Sequence, residues 1–281
     1  MNDLLERVLR DLEAAGRPMT PGVVGDALAI PEPGRVVIRC GGAEVVGIHA
    51  RGCKLQELPL SLRGLASLQE LDLSDNALTA IPDWLGALTG LITLNLAENR
   101  CPELPDSLGS LSRLRTLDLG HDRLRSLPDS LGDLPNLDRF LYVHDNELTS
   151  LPGSFAQLTA VRYLNASANP LVTWPDCLTG MTGLVELRLE DADLEELPDT
   201  LADLVHLREL SLRGNGLRSL PDALGRLRAL ATLDLRANPL RSLPRSLLQL
   251  PALTKLDLRW TNLPRSVDTS ALEERGVRVY R

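Results

Sequence analysis

The side chains of this 281-residue chain that could do chemistry are few and scattered. Its four histidines, His49, His121, His144 and His206, include no HExxH pair and no ligand set at metal spacing. Its four cysteines, Cys40, Cys53, Cys101 and Cys177, form no CxxC and are too few for a disulfide framework. There is no GxxxxGK[ST] loop to cradle a phosphate and no GxSxG nucleophile elbow. None of Cys53, Cys101 and Cys177 begins a CxxxxxR phosphatase signature. The sequence therefore predicts no enzyme, no cofactor and no bound metal. The more informative group is aromatic. The chain has only five Phe and Tyr, and three of them, Phe140, Tyr142 and Tyr163, fall close together, near His144 and His121. Rings of this kind on a surface anchor protein partners.

Composition narrows the class further. The chain has 64 Leu against 2 Phe and 3 Tyr, and 28 Arg against 2 Lys. With 43% hydrophobic residues it can fill a core, which argues against disorder. No apolar run approaches the roughly 18–20 residues of a membrane span. The N-terminus alternates charge with leucine and lacks the apolar stretch of a signal peptide, so a cytoplasmic location is expected. The formal charge of −8 argues against nucleic acid as the main partner.

The elements that must position these residues repeat along the chain. Starts fall at Val45, Leu68, Leu91, Leu114, Leu137, Val161, Leu184, Leu207, Leu230 and Leu253. Each step is 23 residues except the 24 from Leu137 to Val161, giving nine full units and a partial tenth. The consensus LxxLxLxxNxLxxLPDxLGxLxx resembles the leucine-rich repeat family in its 23-residue intracellular form. It is similar to the repeats of plant intracellular Ras-group-related proteins and of the Scribble and Erbin type. The resemblance implies an α/β solenoid, a curved horseshoe with a parallel sheet on the concave face and short helical turns on the convex face. It also implies a protein-binding scaffold whose partners include small GTPases, kinases or phosphatases. The Arg-for-Lys bias suggests a bacterial source.

Within one unit, the leucines of LxLxL alternate, as a strand with one buried face requires, and strands must stack to bury them. Asn76, Asn99, Asn146, Asn169, Asn215 and Asn238 sit where the strand turns away, and their amides can satisfy loop backbone groups. Cys53, Asp122, Ala192 and Thr261 replace them elsewhere, and Ala192 predicts a looser corner. Asp83, Asp106, Asp129, Asp176, Asp199 and Asp222 follow proline and are expected to cap the helical turns. Residues 1–44 read as an N-terminal cap. Its helix runs from Asp3 to about Ala15 with Leu4, Leu5, Val8, Leu9 and Leu12 on one face, and a proline- and glycine-rich stretch then leads to a hairpin turning at Gly41-Gly42. Residues 45–263 are the repeats and 264–281 a C-terminal cap, with a short helix over Asp268–Arg275 and an edge strand at Val277–Tyr280.

The unit that breaks step, LDRFLYVHDNELTSLPGSFAQLTA, places its extra residue between Leu137 and Leu141, which suggests a β-bulge. In this register Leu141 and Val143 point inward, while Phe140, Tyr142, His144 and, one unit on, Tyr163 point outward on the concave face. The same face carries acids early, such as Asp72 and Asp118, and bases late, Arg188, Arg213, Arg236 and Arg259. Residues 1–206 carry net charge −15 and residues 207–281 net +7. Asp234 and Asp257 are placed to counter the arginine ladder. The sequence thus predicts a module that binds a protein partner through Phe140, Tyr142, His144, Tyr163, His121 and these charges. The alternatives are a small-ligand or metal-dependent site around Tyr142, His144 and His121, and self-association.

Overall fold

Each LxLxL segment folds as a three-residue strand whose central leucine is buried and whose two flanking side chains face outward from a sheet. This is seen in a computed structural model, in which residues 3–15, 22–24, 33–42, 44–264 and 266–281 are described. Their contacts divide the chain into two units, 1–141 and 142–281.

The first unit opens with helix α1 (Asp3–Ala15), which buries Val8 and Leu12 completely and packs on the turn Leu60–Gly64. The expected packing of Leu4 and Leu5, and most of the proline- and glycine-rich stretch that follows, lie outside the described residues. That stretch contributes one strand that pattern reading did not find, β1 (Gly22–Val24). The hairpin forms as read, from β2 (Val37–Gly41) and β3 (Glu44–His49), and Gly42 turns it with φ +66°. Strands β4 (Glu70–Asp72), β5 (Thr93–Asn95) and β6 (Thr116–Asp118) follow from β3 in parallel. Leu71, Leu94 and Leu117 align across them at the 23-residue step. Strand β7 (Phe140–Tyr142) begins at the end of this unit.

In the second unit, β8 (Tyr163–Asn165), β9 (Glu186–Arg188), β10 (Glu209–Ser211), β11 (Thr232–Asp234) and β12 (Lys255–Asp257) run parallel. Helix α2 (Ser270–Glu273) leads into β13 (Arg278–Tyr280), which pairs with β12 as the expected closing strand. Both units are leucine-rich repeat solenoids, with parallel strands on one side and short helical turns on the other.

Those turns are five-residue 3₁₀ helices such as Asp83–Ala87 and Asp222–Arg226. The first bond of each runs to the proline carbonyl from the N–H three residues on, a leucine's in all but one turn, as from Leu85 to Pro82 at 3.0 Å, and that of Phe155 in the turn after Pro152. The expected capping role of the aspartates is corrected here. The N-cap is the proline before each of Asp83, Asp106, Asp129, Asp176, Asp199 and Asp222, and no side chain caps these turns. Each aspartate is the first residue of its turn, where its charge still complements the exposed N–H groups. The glycine of the LG motif has a separate cause. A Cβ at Gly86 would lie 2.1 Å from the Ser107 carbonyl oxygen, so neighbouring turns stack too closely for any side chain.

The asparagines do what their donor count suggested. Asn99, 7% exposed, donates to the carbonyls of Leu73, Leu96 and Ala97 and accepts the Leu78 N–H. Asn76, Asn169, Asn215 and Asn238 repeat the pattern, tying each strand end to its neighbour. The residue before this position is left-handed in every repeat from Asp75 onward, at φ between 48° and 71°.

Candidate functional site

The sheet surface of each unit is a grid of outward strand residues. In the first unit Asp72 accepts hydrogen bonds from the Ser74 N–H and Oγ–H, at 3.0 and 2.7 Å. His49 lies between two acids, with Nδ1 3.9 Å from Asp72 and Nε2 3.5 Å from Glu70, which also pairs with Arg39. Burial alone would raise the Asp72 carboxyl, but the hydrogen bonds from His49 and Ser74 outweigh it and hold the carboxyl below its ordinary value. Asp118 accepts the Gly120 N–H at 3.0 Å, and His121 is an exposed left-handed corner residue.

The 24-residue step is accommodated at Asp138. The carbonyl of Arg115 accepts the N–H of Arg139 at 3.1 Å, where the regular spacing would have placed residue 138. The guanidinium of Arg115 grips the extra carboxylate, with Nε donating at 2.8 Å. Arg115 holds Asp138 below the ordinary carboxylate range, chiefly through this hydrogen bond. Leu141 and Val143 are fully buried as the register required.

The expected aromatic group is divided between the units. Phe140 and His121 belong to the first, and Tyr142, His144 and Tyr163 to the second. Phe140, Tyr142 and Tyr163 are half-buried on their strands, less exposed than the sequence suggested. The rings of Tyr142 and His144 meet edge to face, 6.0 Å between centroids and 87° between planes.

The arginine ladder of the second unit is neutralised strand by strand. Arg188 pairs with Glu186, and Arg213 with Glu190 and Asp191, at 3.3 and 3.1 Å. Arg236 binds Asp234 through Nε, 2.9 Å from each oxygen, and lies 3.7 Å from Asp257. Arg259 binds Asp257 with two bonds of 2.9 and 2.7 Å. Asp257 is almost wholly buried, which would raise its carboxyl. The bonds from Arg259 and the charge of Arg236 hold it below its ordinary value. Asp234 and Asp257 thus occupy the role their spacing suggested.

Two features escaped sequence reading. At the end of the array Trp260 is 71% exposed, and the Arg259 guanidinium sits 5.4 Å from its ring centroid and 5.5 Å from that of Tyr280. Trp260 stands at the left-handed corner, a position whose outward aim the consensus does not reveal. The other is a cavity beside Trp174, which replaces the leucine of an LPD motif. Cys53, Cys101 and Cys177 are free and buried, and burial pushes their thiols up to about 11, 12 and 11.

Repeat, strand register and asparagine corners together define a leucine-rich repeat protein. Family models agree. "Leucine rich repeat" matches residues 66–124 and 112–171, and "Leucine-rich repeat region" matches 196–274. A search of curated proteins found no match. Among solved structures, the chain is similar to a leucine-rich repeat protein of Leptospira interrogans, at 28% identity and a TM-score of 0.79. That alignment covers 87% of this chain and 60% of the other. It is also similar to YopM, a leucine-rich effector protein of Yersinia pestis, at 30% identity and a TM-score of 0.62, over 75% of this chain and 54% of that one. A third likeness is to the Arabidopsis receptor kinase HAESA, solved with the peptide hormone IDA and the co-receptor SERK1. It has 26% identity and a TM-score of 0.71, over 80% of this chain and 40% of that one. The chain thus spans less than two thirds of each. No helix among the described residues is long and apolar enough to cross a membrane.

Proposed function

We propose that this chain is a protein-interaction module that takes its partner on the exposed face of the repeat sheet. The observation that carries the reading is the preset surface of the second unit. Its four arginines are each fixed by a carboxylate on the same face, and Tyr142 and Tyr163 stand half-buried on the neighbouring strands. Side chains already held in place lose little freedom on binding, so such a face converts contact into affinity efficiently. Fixed charge pairs contribute orientation and selectivity more than strength, and the rings supply apolar contact. That the HAESA structure holds a peptide and a co-receptor supports a protein or peptide as the ligand class. The free cysteines support a reducing compartment such as the cytoplasm.

The test is affinity capture from the native host with the full chain and with Tyr142→Ala/Tyr163→Ala. The double variant is expected to lose the captured protein while its thermal midpoint stays within a few degrees. A variant that keeps its melting temperature and still captures the same protein would sink the proposal.

A further inference from the structure

The uncompensated charges on the sheet face of the second unit include one row whose order the strand register sets. Parallel pairing places Tyr163 opposite Glu186, Glu186 opposite Glu209, Glu209 opposite Thr232, Thr232 opposite Lys255 and Lys255 opposite Arg278. From β8 to β13 the row therefore reads ring, two acids, a neutral threonine and two bases. Like charges directly opposite on a sheet cost free energy unless countered. Glu186 is countered by Arg188 on its own strand. Glu209, Lys255 and Arg278 are exposed and have no ion-pair partner among the described residues. Lys255 meets the Tyr280 ring, 5.9 Å from its ammonium. The arginine ladder that the sequence singled out is, by contrast, already neutralised within the face.

A recess of about 210 Å³ opens along this row and is lined by Glu186, Glu209, Thr232 and Lys255. The further charges in its wall, Arg188, Glu190 and Asp234, are paired within the face, with Glu186, Arg213 and Arg236. The recess thus presents a negative end at Glu209 and a positive end at Lys255. Adjacent strands lie about 4.8 Å apart, so Glu209 and Lys255 are separated by about 10 Å, too far to neutralise each other. An extended chain advances about 3.3 Å per residue, so about three residues span that gap. We infer that the recess takes an extended segment of a protein partner that crosses the strands, with basic residues over Glu186 and Glu209 and acidic residues over Lys255 and Arg278. The assignment rests on the sheet-face reading above and names the chemistry of its partner. The row is also its own complement under a two-fold axis at Thr232, which would set Glu209 against Lys255 of a second copy. Such an axis would face recess to recess and hold the opposite charges apart, whereas an inserted segment fills the recess.

Fluorescence anisotropy of two fluorescein-capped hexapeptide amides with the full chain tests this. Lys-Lys-Gly-Gly-Glu-Glu complements the row, and Lys-Glu-Gly-Gly-Lys-Glu has the same composition and net charge in another order. At low salt the first is expected to saturate and to bind about tenfold tighter than the second, the sum of several exposed ion pairs. High salt should close the gap. Glu209→Lys/Lys255→Glu turns the two charge blocks into an alternation, so it should reverse the preference. Neither misfolding nor general weakening can produce a reversal. Equal affinities, no binding of either peptide, or an unreversed preference overturns the assignment. A parent chain that sediments as a dimer and is dispersed by Glu209→Lys overturns it in favour of a second copy. Failure of the sheet-face reading shows separately, as a captured protein that survives Tyr142→Ala/Tyr163→Ala. A captured protein lost with the tyrosines yet kept by the charge-reversed chain sinks the charge row alone.

Discussion

At the scale of single residues, the corner asparagine is the most densely used side chain in the fold. Asn238, 1% exposed, accepts the Leu217 N–H and donates to the carbonyls of Leu212, Leu235 and Arg236. Asn238→Ala leaves those groups unpaired in the core and is expected to cost about 3 kcal/mol, measured by urea unfolding. Asp122 occupies the same slot with different chemistry. Its Oδ1 accepts the N–H groups of Cys101 and Arg123, while burial pushes its carboxyl from 3.8 up to about 7. The folded state therefore holds a proton that the unfolded chain releases above 3.8. The stability this group contributes is greatest at low pH and is lost as pH rises towards 7. Asp122→Asn should remove that dependence, so its advantage over the parent in urea midpoint should grow between pH 5 and pH 8. An advantage that stays constant with pH would contradict the assignment. The role of these side chains was legible because an amide's donors and acceptor can be counted from its formula. The bend at Val172 was not, because nothing in the local sequence marks a valine for a left-handed backbone.

At the scale of elements, strand positions followed directly from the leucine alternation, and the 23-residue step fixed their register. The convex turns were legible in place but not in detail. Proline and aspartate both favour a helix start, and only the backbone shows that proline takes the capping position and that the turn closes as a 3₁₀ helix. The same holds for the extra residue of the irregular repeat. Its interval was bounded by Leu137 and Leu141, and the grip of Arg115 on Asp138 singles it out. The stacking of the turns makes a paired prediction. Gly86→Ala drives a methyl group into the Ser107 backbone and should cost about 1–3 kcal/mol. Gly153→Ala, at a turn position with nothing within 4 Å of the added carbon, should be close to neutral. Thermal midpoints of the two variants decide the matter, and equal losses would refute the stacking account.

At the scale of the whole molecule, a repeat solenoid buries its leucines only against neighbours, so its ends need cover. Helix α1 supplies it at the first unit, with Val8 and Leu12 sealed against the Leu60–Gly64 turn. Leu12→Asp places a charge with no partner in that seam. Hydrogen exchange in α1 and in Leu60–Gly64 should accelerate, and binding of the dye ANS should rise. Unchanged protection in both segments would show that the helix is not the cover. The exposed sheet surface was legible from sequence as a set of outward charges and rings. Their pairing and half-burial were not, since both depend on side-chain reach across neighbouring strands.

The left-handed corner residue has a consequence for how such a chain can change. Asp75, Glu98, His121, Asp145, Ala168, Asp191, Gly214, Ala237 and Trp260 all hold one backbone shape, set by the strand bonds around them. Acid, imidazole, methyl, indole and bare hydrogen have each been accepted there. The array therefore carries a regularly spaced row of interchangeable sockets, where a lineage or a designer can swap chemistry one repeat at a time without redrawing the scaffold.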